Sequence, residues 1–172
     1  ALPTGLTSLL LHSNKPFDIA RLKPLTLLQS LNVVVRDTPT PLDLSGLTTL
    51  TSLVGNFTPI ATLPTSLVDC AVMLQSDMDL SPLTQLTWLQ LSLEANVRVV
   101  FPTQLKDLTV DGKAKLGESN IADVALESYM CTNTDLTREA LAQLPKTLRS
   151  ISGHFIPKAL ETQLGEIFPL CQ

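Results

Sequence analysis

The side chains that could carry catalysis in this sequence are few: two histidines, His12 and His154, and three cysteines, Cys70, Cys131 and Cys171. No Gly-rich phosphate loop, Cys-x-x-Cys pair or His-x-x-x-His pair accompanies them. The carboxylates are scattered rather than convergent, so neither a metal nor a cofactor is expected. Recognition chemistry is better supplied. The single tryptophan, Trp88, stands midway along the chain between Asp69 and Asp107. An indole face attracts a cation, and a carboxylate on each side adds charge-assisted hydrogen bonds to that cation. Whether the three side chains meet depends on what the spacing means.

The spacing is that of a repeat. Phe101–Val110, FPTQLKDLTV, carries Leu105, Leu108 and Val110 in the frame L-x-x-L-x-V. The first position of this frame, the marker, recurs at Leu6, Leu28, Leu50, Leu67, Leu86, Leu105, Leu126 and Leu148. The shortest step is from Leu50 to Leu67, and the steps on either side of Leu86 are equal. A period of about 20 residues is that of a solenoid, in which each repeat is one coil. Each frame predicts a short strand of a parallel sheet, with the residues three and five past the marker inward and their neighbours outward. Gly55 and Gly153 interrupt the inward column and thin the core at their coils.

The outward row two past the marker is mostly serine, except at its centre, which reads Asp69, Trp88, Asp107. Adjacent strands bring these within about 5 Å of one another. Met73, Gln90 and Asp111 extend the patch along the next two outward rows. The candidate protein-binding residues are therefore Asp69, Trp88, Asp107, Met73, Gln90 and Asp111. The alternative is that Trp88 packs over apolar neighbours while the aspartates keep the face soluble. His12 and His154 share an outward row but lie seven strands, about 34 Å, apart, too far to share a site. Cys70 and Cys131 fall inward, three coils or about 14 Å apart, too far for a disulfide.

Apolar residues make up 44% and charged residues 16% of the 172-residue chain, enough core for one domain spanning 1–172. Net charge is −4 and no Lys/Arg cluster is present, which disfavours nucleic acid. No apolar run reaches the ~18–20 residues that span a bilayer, so no membrane association is expected. The sequon Asn56-Phe57-Thr58 precedes Pro59 and reads as a chance match. Ala1 opens in mid-repeat without Met, leaving room for a missing preceding segment. An uncapped first coil would also expose an unpaired strand edge, which predicts self-association there.

The linkers are of two kinds. LPTGL, LPTSL, FPTQL and LPKTL lead with proline, while DLSGLTTL and DLSPLTQL lead with aspartate. Repeats this short leave little room for a return helix, so the convex side is predicted to be extended or 3-10. Two stretches read as helical: Asp135–Leu144, with Asp135 as N-cap, and Pro157–Phe168, a C-terminal cap over the last coil.

DLSPLTQLTWLQLS resembles the coils of the 22-residue leucine-rich-repeat class, to which internalins and the leucine-rich regulatory subunit of type 1 protein phosphatase belong. The proline-led linkers resemble those of bacterial effectors and protozoan leucine-rich proteins. The likeness covers roughly residues 2–156, with a cap at about 157–172. One departure is plain: eight past the marker, where the family carries an asparagine ladder, only Asn14 is Asn. The resemblance implies an α/β, right-handed, non-enzymatic binding solenoid with about eight strands on its concave face. It suggests an adaptor or regulatory subunit whose partner is a protein, with a phosphatase catalytic subunit as one candidate. Absence of cysteine-clustered caps points to a cytoplasmic protein. A secreted effector or surface adhesin, and a structural fragment of a longer array, are the alternatives.

Overall fold

Leucine at the marker, with an apolar residue three and five positions later, puts one face of an extended segment in a core and leaves the other in water. The computed structural model describes residues 2–13, 17–35, 42–56, 60–114, 118–132, 138–153 and 164–171. Eight strands form there, each at one copy of the frame: β1 (Ser8–Ser13), β2 (Ser30–Val35), β4 (Ser52–Asn56), β6 (Asp69–Leu74), β8 (Trp88–Val97), β10 (Asp107–Ala114), β11 (Ser128–Thr132) and β12 (Ser150–Gly153). They make one parallel sheet in that order, so the chain is a parallel-strand solenoid with few helices. Two smaller parallel pairs lie outside this sheet: β3 (Leu42–Asp43) with β5 (Ile60–Thr62), and β7 (Met78–Asp79) with β9 (Val99–Val100).

The core sits behind the large sheet. The markers Leu28, Leu50, Leu67, Leu86, Leu105, Leu126 and Leu148 are all at 0% exposure, so the frame is the core's spine. Leu31, Leu53, Cys70, Leu89, Leu108 and Tyr129 bury beside them, as do Val33, Val72, Leu91, Val110 and Cys131. A further inward position, seven past the marker, is filled by Val35, Leu74 and Leu93. In the first coil Leu6, Leu9 and Leu11 are only partly buried.

Register is set where each strand begins. The carbonyl one past the marker accepts two amides from the next coil. Val68 O receives Thr87 N at 2.9 Å and Trp88 N at 3.2 Å, and Thr87 O receives Lys106 N and Asp107 N at 3.0 Å. The same double acceptance recurs at Thr7, Gln29, Thr51, Lys106 and Glu127. The two linker types converge on one turn before it. The marker amide bonds the carbonyl three residues back, whether that is Pro3, Pro64, Pro102 and Pro145 or Leu25, Leu47 and Leu83.

A second ladder runs one residue before the marker. Thr49 Oγ1 donates to Leu28 O at 2.9 Å, Ser66 Oγ to Leu50 O at 2.7 Å, and Thr147 Oγ1 to Leu126 O at 3.0 Å. The Gln104 amide reaches Leu83 O at 2.9 Å, and the Cys171 thiol contacts Leu148 O at 3.4 Å. These bonds satisfy carbonyls that a buried turn would otherwise leave orphaned. Asn120 bridges two coils by accepting from Phe101 N at 2.7 Å and donating to Phe101 O at 2.8 Å.

Among the described residues, the returns between the strands of the large sheet are largely turns, short strands and 3-10 segments at Ile19–Leu22 and Ile121–Asp123, as the short repeats predict. The two small sheets there were not foreseen. Aspartates organise the linkers: Asp18 accepts from Ala20 N, Asp43 from Ser45 N and Asp79 from Ser81 N. Asp43 also takes the hydroxyls of Ser45 and Thr62, joining β3 to β5. The helix expected at Asp135–Leu144 is observed as α1 (Arg138–Ala142), with Leu141 and Leu144 buried. Its proposed cap, Asp135, lies outside the described residues. Of the expected C-terminal helix Pro157–Phe168, 157–163 lie outside them; 164–167 are helical and Phe168 is fully buried, with Lys146 Nζ 4.8 Å from its ring centroid.

Gly112 has φ 101°, at a register shift between β10 and β8. A Cβ there would overlap the Leu93 carbonyl oxygen. Gly112→Ala should therefore lose about 2 kcal/mol or more in urea unfolding, since left-handed backbone alone costs an L-residue about 1–2 kcal/mol. Wild-type stability in that variant would refute the strain. The hydroxyl of Thr62 first, then the hydroxyl and amide of Ser45, lower the Asp43 pKa from 3.8 to about 2. A lowered native pKa means the ionised form is favoured on folding. The stability difference between wild type and Asp43→Ala should hold above the unfolded value near 3.8 and shrink as pH falls through about 2. Urea titrations across that window test the sign.

Candidate functional site

The strand starts fix the central patch. Because Val68 O and Thr87 O each anchor the next strand, Asp69 on β6, Trp88 on β8 and Asp107 on β10 stand in direct register. Trp88 therefore has one carboxylate-bearing neighbour on each side, about 4.8 Å away along the sheet. Its side chain is half-buried, as is that of Asp107, while Asp69 is exposed. The indole is thus partly accessible to solvent, between two carboxylate-bearing neighbours.

The other three sequence-predicted residues fall on the same three strands. Gln90 is exposed on β8, between Ala71 and Thr109. Met73 and Asp111 are half-buried and flank Ser92 in register. All six residues are thus brought onto one face of β6, β8 and β10. His12 is exposed on β1, well away from this patch, and His154 lies outside the described residues.

The charge of the face is one-sided. No Lys or Arg stands two, four or six positions past the marker in any coil, whereas Asp69, Asp107 and Asp111 do. Lys106, one past its marker and next to Asp107 in sequence, pairs with Glu127 at 3.3 Å. That pair is roughly half exposed and contributes little stability, but it draws the ammonium along the strand-start row.

Sequence reasoning missed the relief of the surface beside the patch. A hollow of about 230 Å³ opens on the outward face of the large sheet, lined by Val34, Val54, Asn56, Ala71, Met73, Gln90 and Ser92 among others. Val54 is 42% exposed there. The signal lay in the outward rows four and six past the marker, where Val34, Val54, Ala71 and Met73 are apolar in successive coils.

Among the described residues no group of three His, Cys, Asp or Glu side chains could hold a metal, and no helix is long and apolar enough to cross a membrane. Cys70 and Cys131 are buried free thiols in the core, and burial pushes the Cys70 pKa up to about 12. Burial likewise raises Cys131 and Tyr129. No protein-family model, curated protein or solved structure matches this chain.

The open, acid-flanked indole has a direct spectroscopic consequence, because Trp88 is the chain's only tryptophan. Its emission should be quenched more by caesium than by iodide once each ion's intrinsic efficiency is corrected with free tryptophan. Asp69→Asn with Asp107→Asn should reduce that preference, and added salt should do the same. Equal caesium and iodide access in wild type would show that the carboxylates do not govern the field at Trp88.

Proposed function

We propose that the chain is a solenoid of the leucine-rich-repeat type that binds a protein partner through its concave face, as an adaptor or regulatory subunit without catalysis of its own. The observation that carries the reading is the register Asp69–Trp88–Asp107 around a half-buried indole. A tryptophan loses little conformational freedom on binding and offers a large flat face. Flanked by two carboxylates, it suits an Arg or Lys side chain lying across the ring. Trp is also enriched among the few residues that dominate binding energy at protein interfaces. A phosphatase catalytic subunit is the partner that the sequence resemblance suggests. In the same reading, the segment ending at the buried Phe168 covers the last coil, as an open solenoid end requires.

A pull-down from source lysate with wild type beside Trp88→Ala identifies the partner, and calorimetry then measures its affinity. Trp88→Ala should weaken binding by about 2 kcal/mol or more and leave the circular-dichroism spectrum unchanged. Asp69→Asn with Asp107→Asn should weaken binding and flatten its dependence on salt. Unchanged affinity in both variants would remove the concave patch as the site.

A further inference from the structure

The patch and the hollow lie side by side, and their offset defines a ligand. The hollow centres between β4 and β6, about five positions past the marker, while Trp88 lies on β8, two past it. With strands about 4.8 Å apart and a rise of about 3.3 Å per residue, the separation is about 12 Å on a diagonal across the sheet. In an extended peptide, residues i and i+4 project to the same side and lie about 13 Å apart. The patch is acidic and the hollow is walled by Val34, Val54, Ala71 and Met73, with Gln90 on its border towards the patch.

We propose that the concave face reads an extended peptide segment of a partner protein at two points: an Arg or Lys over Trp88 between Asp69 and Asp107, and, four positions away, an aliphatic side chain seated in the hollow of Val34, Val54, Ala71 and Met73. This rests on the cation-binding reading of Trp88 and adds the second point and the spacing. Charge complementarity selects the cation, since positions two, four and six past the markers supply carboxylates and no Lys or Arg. The hollow selects the aliphatic group, which leaves water for apolar walls. Gln90 contributes a side-chain amide that can bond the peptide backbone as it passes between the two points.

The test is selection of a random-peptide display library on the folded protein, with wild type, Trp88→Ala and Val54→Glu in parallel. Val54 is 42% exposed, so its substitution does not open the core; Ala71→Glu serves as a second block of the same hollow, and circular dichroism checks all variants. Wild type should enrich Arg or Lys together with Leu, Ile, Val or Met at an offset of four. A synthetic copy of a selected peptide should bind Val54→Glu about tenfold more weakly, the loss expected for one aliphatic side chain. Against Val54→Glu the cation should persist while the aliphatic preference disappears; against Trp88→Ala the cation preference should disappear. Enrichment of a cation with no fixed aliphatic offset, or an aliphatic offset that survives Val54→Glu and Ala71→Glu, overturns the two-point reading and leaves the Trp88 reading standing. No enrichment of a cation on wild type overturns both.

Discussion

Coil-on-coil burial at a fixed register is the constraint on which everything else depends. No coil of about 20 residues can bury its own leucines; each hides them against its neighbours. The markers from Leu28 to Leu126 are completely buried because the strand before and the strand after arrive at the same height, and Leu148, in the last coil, is buried where Cys171 of the C-terminal segment contacts its carbonyl. That height is held by one repeated device, a single carbonyl accepting two amides from the next coil. Repeats of unequal length can coexist because each strand start is anchored the same way whatever the length of the segment before it. A slip of one residue would turn every inward side chain to water, so register and core stand or fall together.

The turns that lead into the strands then have to be satisfied, and a column of side chains does this. Thr49, Ser66, Gln104 and Thr147, one residue before their markers, reach back to carbonyls of the preceding coil. The Cys171 thiol makes the corresponding contact to Leu148 O after the last strand. Aspartates of the DLS linkers do the local work, each bonding the amide two residues on. Asp43, with its carboxylate shared among Thr62 and Ser45, ties two convex strands as well as one turn. These groups are exposed or half-buried, so they satisfy the turns without entering the leucine spine.

The parts of this fold that were legible are those that periodicity writes. Eight markers gave eight strands, and the pairing Asp69–Trp88–Asp107 followed from two equal steps along the chain. The inward position held by Val35, Leu74 and Leu93 was missed because several coils lack an apolar residue there. The hydroxyl ladder was hidden by abundance: threonine and serine occur throughout the linkers, so one column of them does not stand out. Two-residue strands such as β7 and β9 are too short to show an alternation. The exposure of Trp88 and the depth of the hollow depend on neighbouring side chains and on the shape of the sheet, which spacing does not encode.

Packing dictates the inward positions, so their residue types say little about function: a buried leucine is explained once its neighbours are named. The outward positions carry no such obligation. A serine two past the marker satisfies the fold in coils one to three and again in the last two. Against that background Asp69, Trp88 and Asp107 cannot be attributed to the core, since none of them faces it. The same holds for Val34, Val54, Ala71 and Met73, apolar side chains turned away from the core beside the indole. Packing against cross-strand neighbours accounts for part of their burial, and the apolar surface still exposed, as at Val54, can be buried against a second molecule. The rigid sheet adds the remaining requirement. It holds groups from β2 to β10 at fixed distances before any partner arrives, so a ligand that matches them meets a surface already in its binding geometry.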